Sequence, residues 1–232
     1  MLRLITDFDG PIMDVSERYY QVYKYCLEKT RRPGQLVREL SKPEFWLYKR
    51  KQIHETQIAL DSGLDSEQAQ EFAKLRKKTV HTQPYFEYDR LIPGIVDVLL
   101  KVEKAEVDFL VMTMRRQREL EFALNKYDLG KFFPQNRRYC LSNDYVKTRD
   151  IDDKPLLMAR ALQELPTADD IWMIGDTEAD IISAKRHGVK IITVESGIRD
   201  RGQLETYNPD YIVNNMSEAV DFILKTSLQQ AR

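Results

Sequence analysis

Cysteine is nearly absent: Cys26 and Cys140 are the two in 232 residues. That argues against a disulfide-built secreted scaffold, and the expectation is two reduced thiols in a soluble cytoplasmic protein. Histidine is almost as scarce, with three, and His54-Glu55 fails as the start of a zinc-protease HExxH because residue 58 is Ile. Neither charge sign is in excess. The 36 Lys and Arg against 37 Asp and Glu leave a formal net charge of −1, so no extended basic face for nucleic acid is expected. No apolar run approaches the roughly 20 residues of a membrane span. Arg3 and Asp7 interrupt the apolar start too early for a signal peptide. Repeats and low-complexity segments are lacking too.

What the chain does have is 42% hydrophobic residues, enough for one large domain or a domain with an insert. Residues 2–6 are too short an apolar run for a helix and read as a buried strand. Val15, Tyr19, Val22, Tyr23 and Cys26 then recur at helical spacing, predicting a helix from Asp14 to about Thr30 that Pro33-Gly34 ends. Ser41-Lys42-Pro43-Glu44 reads as a capping box opening a second helix, which carries Phe45, Trp46 and Tyr48. Short helices follow over 53–61 and from Asp65-Ser66 to about Val80, where Pro84 marks a break.

From Ile92 onward strand and helix alternate. Strands are expected at 107–112, 138–141, 171–174, 190–194 and 211–213. Helices are expected at 94–104, 116–127, 155–165 and 178–187, with a last one capped by Ser217. Alternation of this kind predicts a Rossmann-like α/β core, a parallel sheet covered by helices on both faces. The expected division is a core of residues 1–13 and 90–232, interrupted by an α-helical insert over 14–89.

In such sheets ligands bind beyond the carboxyl ends of the strands. The first strand ends in Leu4-Ile5-Thr6-Asp7-Phe8-Asp9-Gly10-Pro11, where Asp7 and Asp9 leave the backbone on the same side. The second ends in Val111-Met112-Thr113, and a later one in Gly175-Asp176-Thr177-Glu178-Ala179-Asp180. Lys154-Pro155 stands before a helix. Two like charges about 4 Å apart repel by about 4 kcal/mol at an effective dielectric near 20. Asp7, Asp9, Asp176 and Asp180 therefore need either raised pKa values or a hard cation with oxygen ligands. Mg²⁺ suits a few carboxylates plus water and phosphate. Thr113, the N–H groups after it and Lys154 supply donors and charge for a phosphoryl group.

The order of these pieces resembles the haloacid dehalogenase superfamily, in the branch with a helical cap after the first motif. DFDG at 7–10, the Thr ending VMT at 113, KP at 154–155 and GDTEAD at 175–180 stand as the four motifs. The resemblance implies a Mg²⁺-dependent phosphatase acting on a small phosphorylated metabolite through an aspartyl-phosphate, phosphoglycolate-phosphatase-like. It implies Asp7 as nucleophile and Asp9 as general acid/base. Thr113 and Lys154 would bind the phosphoryl oxygens. Asp7, the Asp9 backbone carbonyl and Asp176 would hold Mg²⁺, with Asp180 in support. No nucleic acid or membrane partner is implied, and oligomeric state is left open.

Two departures stand out. Pro11 replaces the usual Thr, and Met114 replaces a small polar residue. Alternatives on the same scaffold are a phosphomutase, a phosphonate hydrolase with a Schiff-base lysine among Lys24, Lys29, Lys49 and Lys51, or a non-catalytic metabolite-binding member. Arg115 and Arg116 read as surface arginines, and Lys49-Arg50-Lys51 as a solvated helix face.

Overall fold

The computed structural model describes residues 1–230. In chain order its strands are β1 (Leu2–Thr6), β2 (Met13–Asp14), β3 (Arg90–Leu91), β4 (Asp108–Arg116), β5 (Arg138–Leu141), β6 (Asp170–Gly175), β7 (Lys190–Val194) and β8 (Tyr211–Val213). The helices are α1 (Ser16–Thr30), α2 (Lys42–Arg50), α3 (Glu55–Asp61), α4 (Ser66–Thr79), α5 (Gln83–Phe86), α6 (Ile95–Lys104), α7 (Gln117–Lys126), α8 (Asp150–Glu164), α9 (Glu178–Arg186), α10 (Arg201–Glu205) and α11 (Met216–Gln230). No helix among the described residues is long and apolar enough to cross a membrane.

The chain divides into two compact units. Among the described residues, the first comprises 1–14, 91–197 and 204–230 and holds a six-stranded parallel sheet in the order β5-β4-β1-β6-β7-β8. Alternate residues of the strands serve opposite faces. Ile5, Leu110, Met112, Met173 and Ile191 pack with Met158 and Ala161 of α8 and Ile181 and Ala184 of α9. Trp172 faces the other way, its ring 6.0 Å from Phe222 of α11. β1 lies at the centre because its run LRLIT is apolar enough to be covered on both faces. The chain continues from β1 to β4 on one side and later to β6 on the other. The crevice beyond β1 is thus the switch point where ligands collect in open α/β sheets.

The second unit comprises 15–90 and 198–203. Residues 198–203, expected in the α/β core, group with the helices instead: Arg199 Nη1 donates to the Lys49 carbonyl at 3.2 Å, and the Asp200 N–H to Arg50 O at 3.2 Å. The Ser41 capping box forms, with Glu44 reaching back to the Ser41 N–H at 2.9 Å. Tyr23 and Phe45 stack at 4.8 Å between centroids in a core shared with Leu40, Ile58 and Phe72.

Three element boundaries differ from expectation. α8 begins at Asp150, so Lys154 lies inside it and Pro155 is accommodated within the helix. β4 runs on through Arg116. The last helix is capped by Asn215, whose Oδ1 accepts the Glu218 N–H at 3.1 Å, and Ser217 is already helical.

Arg18 and Asp89 form a buried ion pair at 2.9 Å, their side chains 0% and 2% exposed. The Arg18 guanidinium also lies 5.0 Å from the Phe86 ring centroid. Removing one partner strands a buried charge, whereas replacing both by apolar groups removes the desolvation cost as well. Asp89→Asn is therefore expected to lose about 3 kcal/mol of stability, and Arg18→Met with Asp89→Leu clearly less, as read by urea denaturation.

Candidate active site

Asp7 is the first residue beyond β1, and its N–H donates to Ile174 O of β6 at 2.8 Å. The sheet thus grips the backbone up to the carboxylate itself. Asp7 Oδ1 accepts the Phe8 N–H at 2.6 Å, and Oδ2 accepts Lys154 Nζ at 2.6 Å. Lys154 projects from the first turns of α8 and is 1% exposed. It also pairs with Asp180 Oδ1.

Asp180 is fully buried in the first turn of α9. Its Oδ2 accepts the Thr177 N–H at 3.0 Å, the Thr177 hydroxyl at 2.7 Å and the Asp176 N–H at 3.2 Å. Asp180 thereby shapes the turn that carries Asp176 while facing Lys154 with its other oxygen.

Among the described residues, carboxylate oxygens of Asp7, Asp176 and Asp180 lie within 4.8 Å of one another. Glycines make this approach possible. A Cβ on Gly10 would stand 2.2 Å from Asp176 Cγ, one on Gly197 2.0 Å from Asp176 Oδ2, and one on Gly175 2.2 Å from Asp180 Cγ. Gly10 also has φ +92°, a conformation costly for any other residue.

Burial pushes the Asp7 carboxyl up from the usual 3.8 to about 7; Lys154 opposes the shift, while Asp180 and Asp9 add to it. Burial also works against the Lys154 charge, but Asp180 and Asp7 outweigh it and hold the ammonium above the usual lysine range. Burial is the first cause at Asp7, and the two facing acids outweigh it at Lys154, in a cluster that sets three carboxylates around one ammonium. The donors are all oxygens, the acids converge and the charge is in excess, so the site fits a hard divalent cation.

Thr113 is buried, and its Oγ1 accepts the Arg115 N–H at 3.2 Å. Pairing between β1 and β4 stops at Thr6 and Val111. Between the pairs Met112–Tyr139 and Arg116–Leu141, β4 advances four residues while β5 advances two. Thr113, Met114 and Arg115 occupy this irregular stretch, the kind of feature that re-aims side chains at a sheet's rim.

The Asp9 carboxylate is not among the three clustered acids. It turns to Arg115, whose Nε and Nη2 both reach Oδ1, at 2.8 and 2.6 Å. Arg115, expected at the surface, is 1% exposed. Lys49, expected on a solvated face, is buried as well: it pairs with Glu55, which also accepts Arg76 Nε at 3.2 Å. Phe45 is part of the helical core, and Trp46 meets Tyr19 edge-on at 6.2 Å. Two contributors escaped the sequence reading, Arg115 and Gly197; the pattern of DFDG did mark Gly10.

Residues 153–219 match the family model described as HAD-hydrolase-like. Pyrophosphatase PpaX of Bacillus velezensis is 24% identical over 218 residues, 93% of each chain. Phosphoglycolate phosphatase of Pseudomonas savastanoi pv. phaseolicola is 21% identical over 159 residues, 68% of this chain and 56% of that one. Among solved structures, a haloacid dehalogenase-like family protein from Streptococcus pneumoniae superposes with a TM-score of 0.70 at 18% identity, covering 95% of this chain and 97% of its own. The chain is similar to haloacid dehalogenase-like hydrolases over residues 153–219, and the solved structure shares its fold. The curated relatives it matches are named as phosphatases.

Asp7 binds its proton more tightly in the folded chain than in the unfolded one, so the sign of its linkage is clear. Without metal, its contribution to stability is present at low pH and is lost as pH rises from about 4 through about 7. A cation that binds the ionised carboxylates reverses that loss. Saturating Mg²⁺ is expected to raise the thermal midpoint more at about pH 8 than at about pH 5. A gain independent of pH would count against a carboxylate metal site.

Proposed function

We propose that this chain is a Mg²⁺-dependent phosphatase that hydrolyses a small phosphorylated metabolite through an aspartyl-phosphate on Asp7. The observation that carries this reading is the contact of Asp7 with buried Lys154 at 2.6 Å, beside Asp176 and Asp180 at the carboxyl ends of the central strands. The relatives named pyrophosphatase and phosphoglycolate phosphatase support a small phosphorylated substrate.

In this reading the ionised Asp7 attacks phosphorus and the bond to the leaving oxygen breaks. Asp9 gives that oxygen a proton. Asp9, now a carboxylate, takes a proton from water, which attacks the acyl phosphate and frees Asp7 and phosphate. Thr113 and Lys154 bind the equatorial phosphoryl oxygens, Lys154 as a point charge held in place by Asp180. Asp7, the Asp9 backbone carbonyl and Asp176 would hold Mg²⁺, with Asp180 in support. When bound, the ion keeps Asp7 ionised and neutralises charge on the phosphoryl group.

Hydrolysis of p-nitrophenyl phosphate with Mg²⁺ tests the nucleophile. Asp7→Asn is expected to lose at least about a thousandfold in rate, about 4 kcal/mol of barrier, with the fold intact by circular dichroism. Equal activity in the two proteins would remove Asp7 from the mechanism.

A second reading, phosphonate hydrolysis, has one observation in its favour. Cleavage of that kind needs a lysine with an uncharged amine to form a Schiff base with a carbonyl substrate. Burial, and Arg76 beside it, bring Lys49 down to about 8, with Glu55 opposing. If this reading holds, borohydride with a carbonyl-bearing phosphonate adds covalent mass at Lys49, and Lys49→Arg abolishes the adduct. No adduct on the wild-type chain would leave the phosphatase reading alone.

A further inference from the structure

We infer that Arg115 is the positioning residue for Asp9: it fixes the carboxylate that serves as acid and base. The inference rests on the phosphatase reading above and adds to it a residue that none of the four motifs contains.

Asp9 needs such a hold. It lies beyond the end of β1, and the residues after it are Gly10 and Pro11, neither of which carries a side-chain donor. Pro11 also lacks a backbone N–H. An unrestrained carboxylate samples several rotamers, whereas proton transfer requires it within hydrogen-bond reach of the leaving oxygen.

Arg115 meets the need from 106 residues away. Its Nε and Nη2 converge on the single oxygen Oδ1 of Asp9, at 2.8 and 2.6 Å. Two donors on one oxygen restrict both the position and the direction of the carboxylate, a hold that a lysine point charge does not reproduce. The guanidinium is itself immobilised. It is 1% exposed and its carbon lies 5.0 Å from the ring centroid of Phe8, the residue between the two acids. Phe8 is fully buried, so the surface under Arg115 is fixed by the same strand end that presents Asp7 and Asp9. The Arg115 N–H bonds to Thr113 Oγ1 at 3.2 Å. One residue of β4 thus ties the acid/base carboxylate to the hydroxyl proposed for phosphate.

A purely structural arginine would balance charge and nothing more. A double-mutant cycle with Asp9→Asn and Arg115→Gln separates the two, using p-nitrophenyl phosphate with Mg²⁺. If Arg115 acts through Asp9, Arg115→Gln lowers kcat by about tenfold or more with KM within about twofold, and in the Asp9→Asn background it costs no more than about twofold further. Arg115→Lys recovers only part of the loss, because charge returns without the fork. Thermal midpoints accompany each variant, and Arg115→Lys carries the test if Arg115→Gln does not fold. Additive losses across the cycle overturn the inference, as does a rise in KM at unchanged kcat or full recovery with lysine. A wild-type chain inactive on phosphoryl substrates would instead overturn the phosphatase reading, and this inference with it; an active wild type with an additive cycle overturns this inference alone.

Discussion

Lys154 sits buried against two carboxylates, and the arrangement of the core rests on that imbalance. Its ammonium is 2.6 Å from Asp7 and is paired with Asp180, while Asp176 stands within reach of both acids. Like charges at this spacing repel by several kcal/mol even at an effective dielectric near 20. A chain free to relax would separate them. Here it is not free to relax: Asp7 is bonded through its backbone to β6, Asp176 follows that strand directly, and Asp180 is held by two hydrogen bonds from Thr177 and one from the Asp176 N–H. Strand pairing, which hydrophobic burial on both sheet faces stabilises, holds together a charge cluster that is unfavourable on its own. Under the proposed function, that is how the site would store affinity for a cation and a phosphoryl group before either arrives.

The same constraint explains where the other buried cations go. Arg115 serves Asp9, Arg18 serves Asp89 and Arg3 serves Asp108, while Lys49 shares Glu55 with the partly buried Arg76. Arginine stands where one oxygen is gripped or a ring is covered, as over Phe8 and Phe86. Lys154 places a point charge between two acids. The choice is physical. A guanidinium tolerates burial through its delocalised charge and planar fork, and an ammonium concentrates its charge at one point.

Much of this could be read in the residues because it is local. Apolar runs ending in acids predicted the strand ends, and Ser41 with Glu44 predicted the cap of α2 to the residue. What escaped depends on partners far along the chain. Nothing near Arg115 announces burial; its partner is Asp9, 106 positions earlier. Lys49 lies in a run of three basic residues, a pattern that ordinarily faces water, and is drawn inward by Glu55 and the ring of Tyr19. β4 outran its apolar stretch because its pairing with β5 shifts register there, and a register shift leaves no trace in hydrophobic periodicity. Residues 198–203 joined the helical unit through hydrogen bonds to the Lys49 and Arg50 carbonyls, from the Arg199 side chain and the Asp200 N–H, and backbone acceptors leave no mark in a sequence pattern.

Pro11 is the case where the departure from the family pattern and the geometry meet. In the turn after Asp9, the N–H groups of Ile12 and Met13 both donate to Phe8 O, at 3.2 and 2.9 Å, and the Gly10 N–H donates to Met13 O at 2.9 Å. Backbone groups on either side of position 11 close the turn, so it holds without an N–H from residue 11, and proline fits without loss there. The ring adds stiffness by fixing φ, and Gly10 supplies the positive φ that the reversal requires. Ser196 Oγ anchors the turn from outside by donating to Gly10 O at 2.9 Å. The hydroxyl that threonine would bring is therefore not needed to shape the loop. The Asp9 side chain is in turn held by the fork of Arg115.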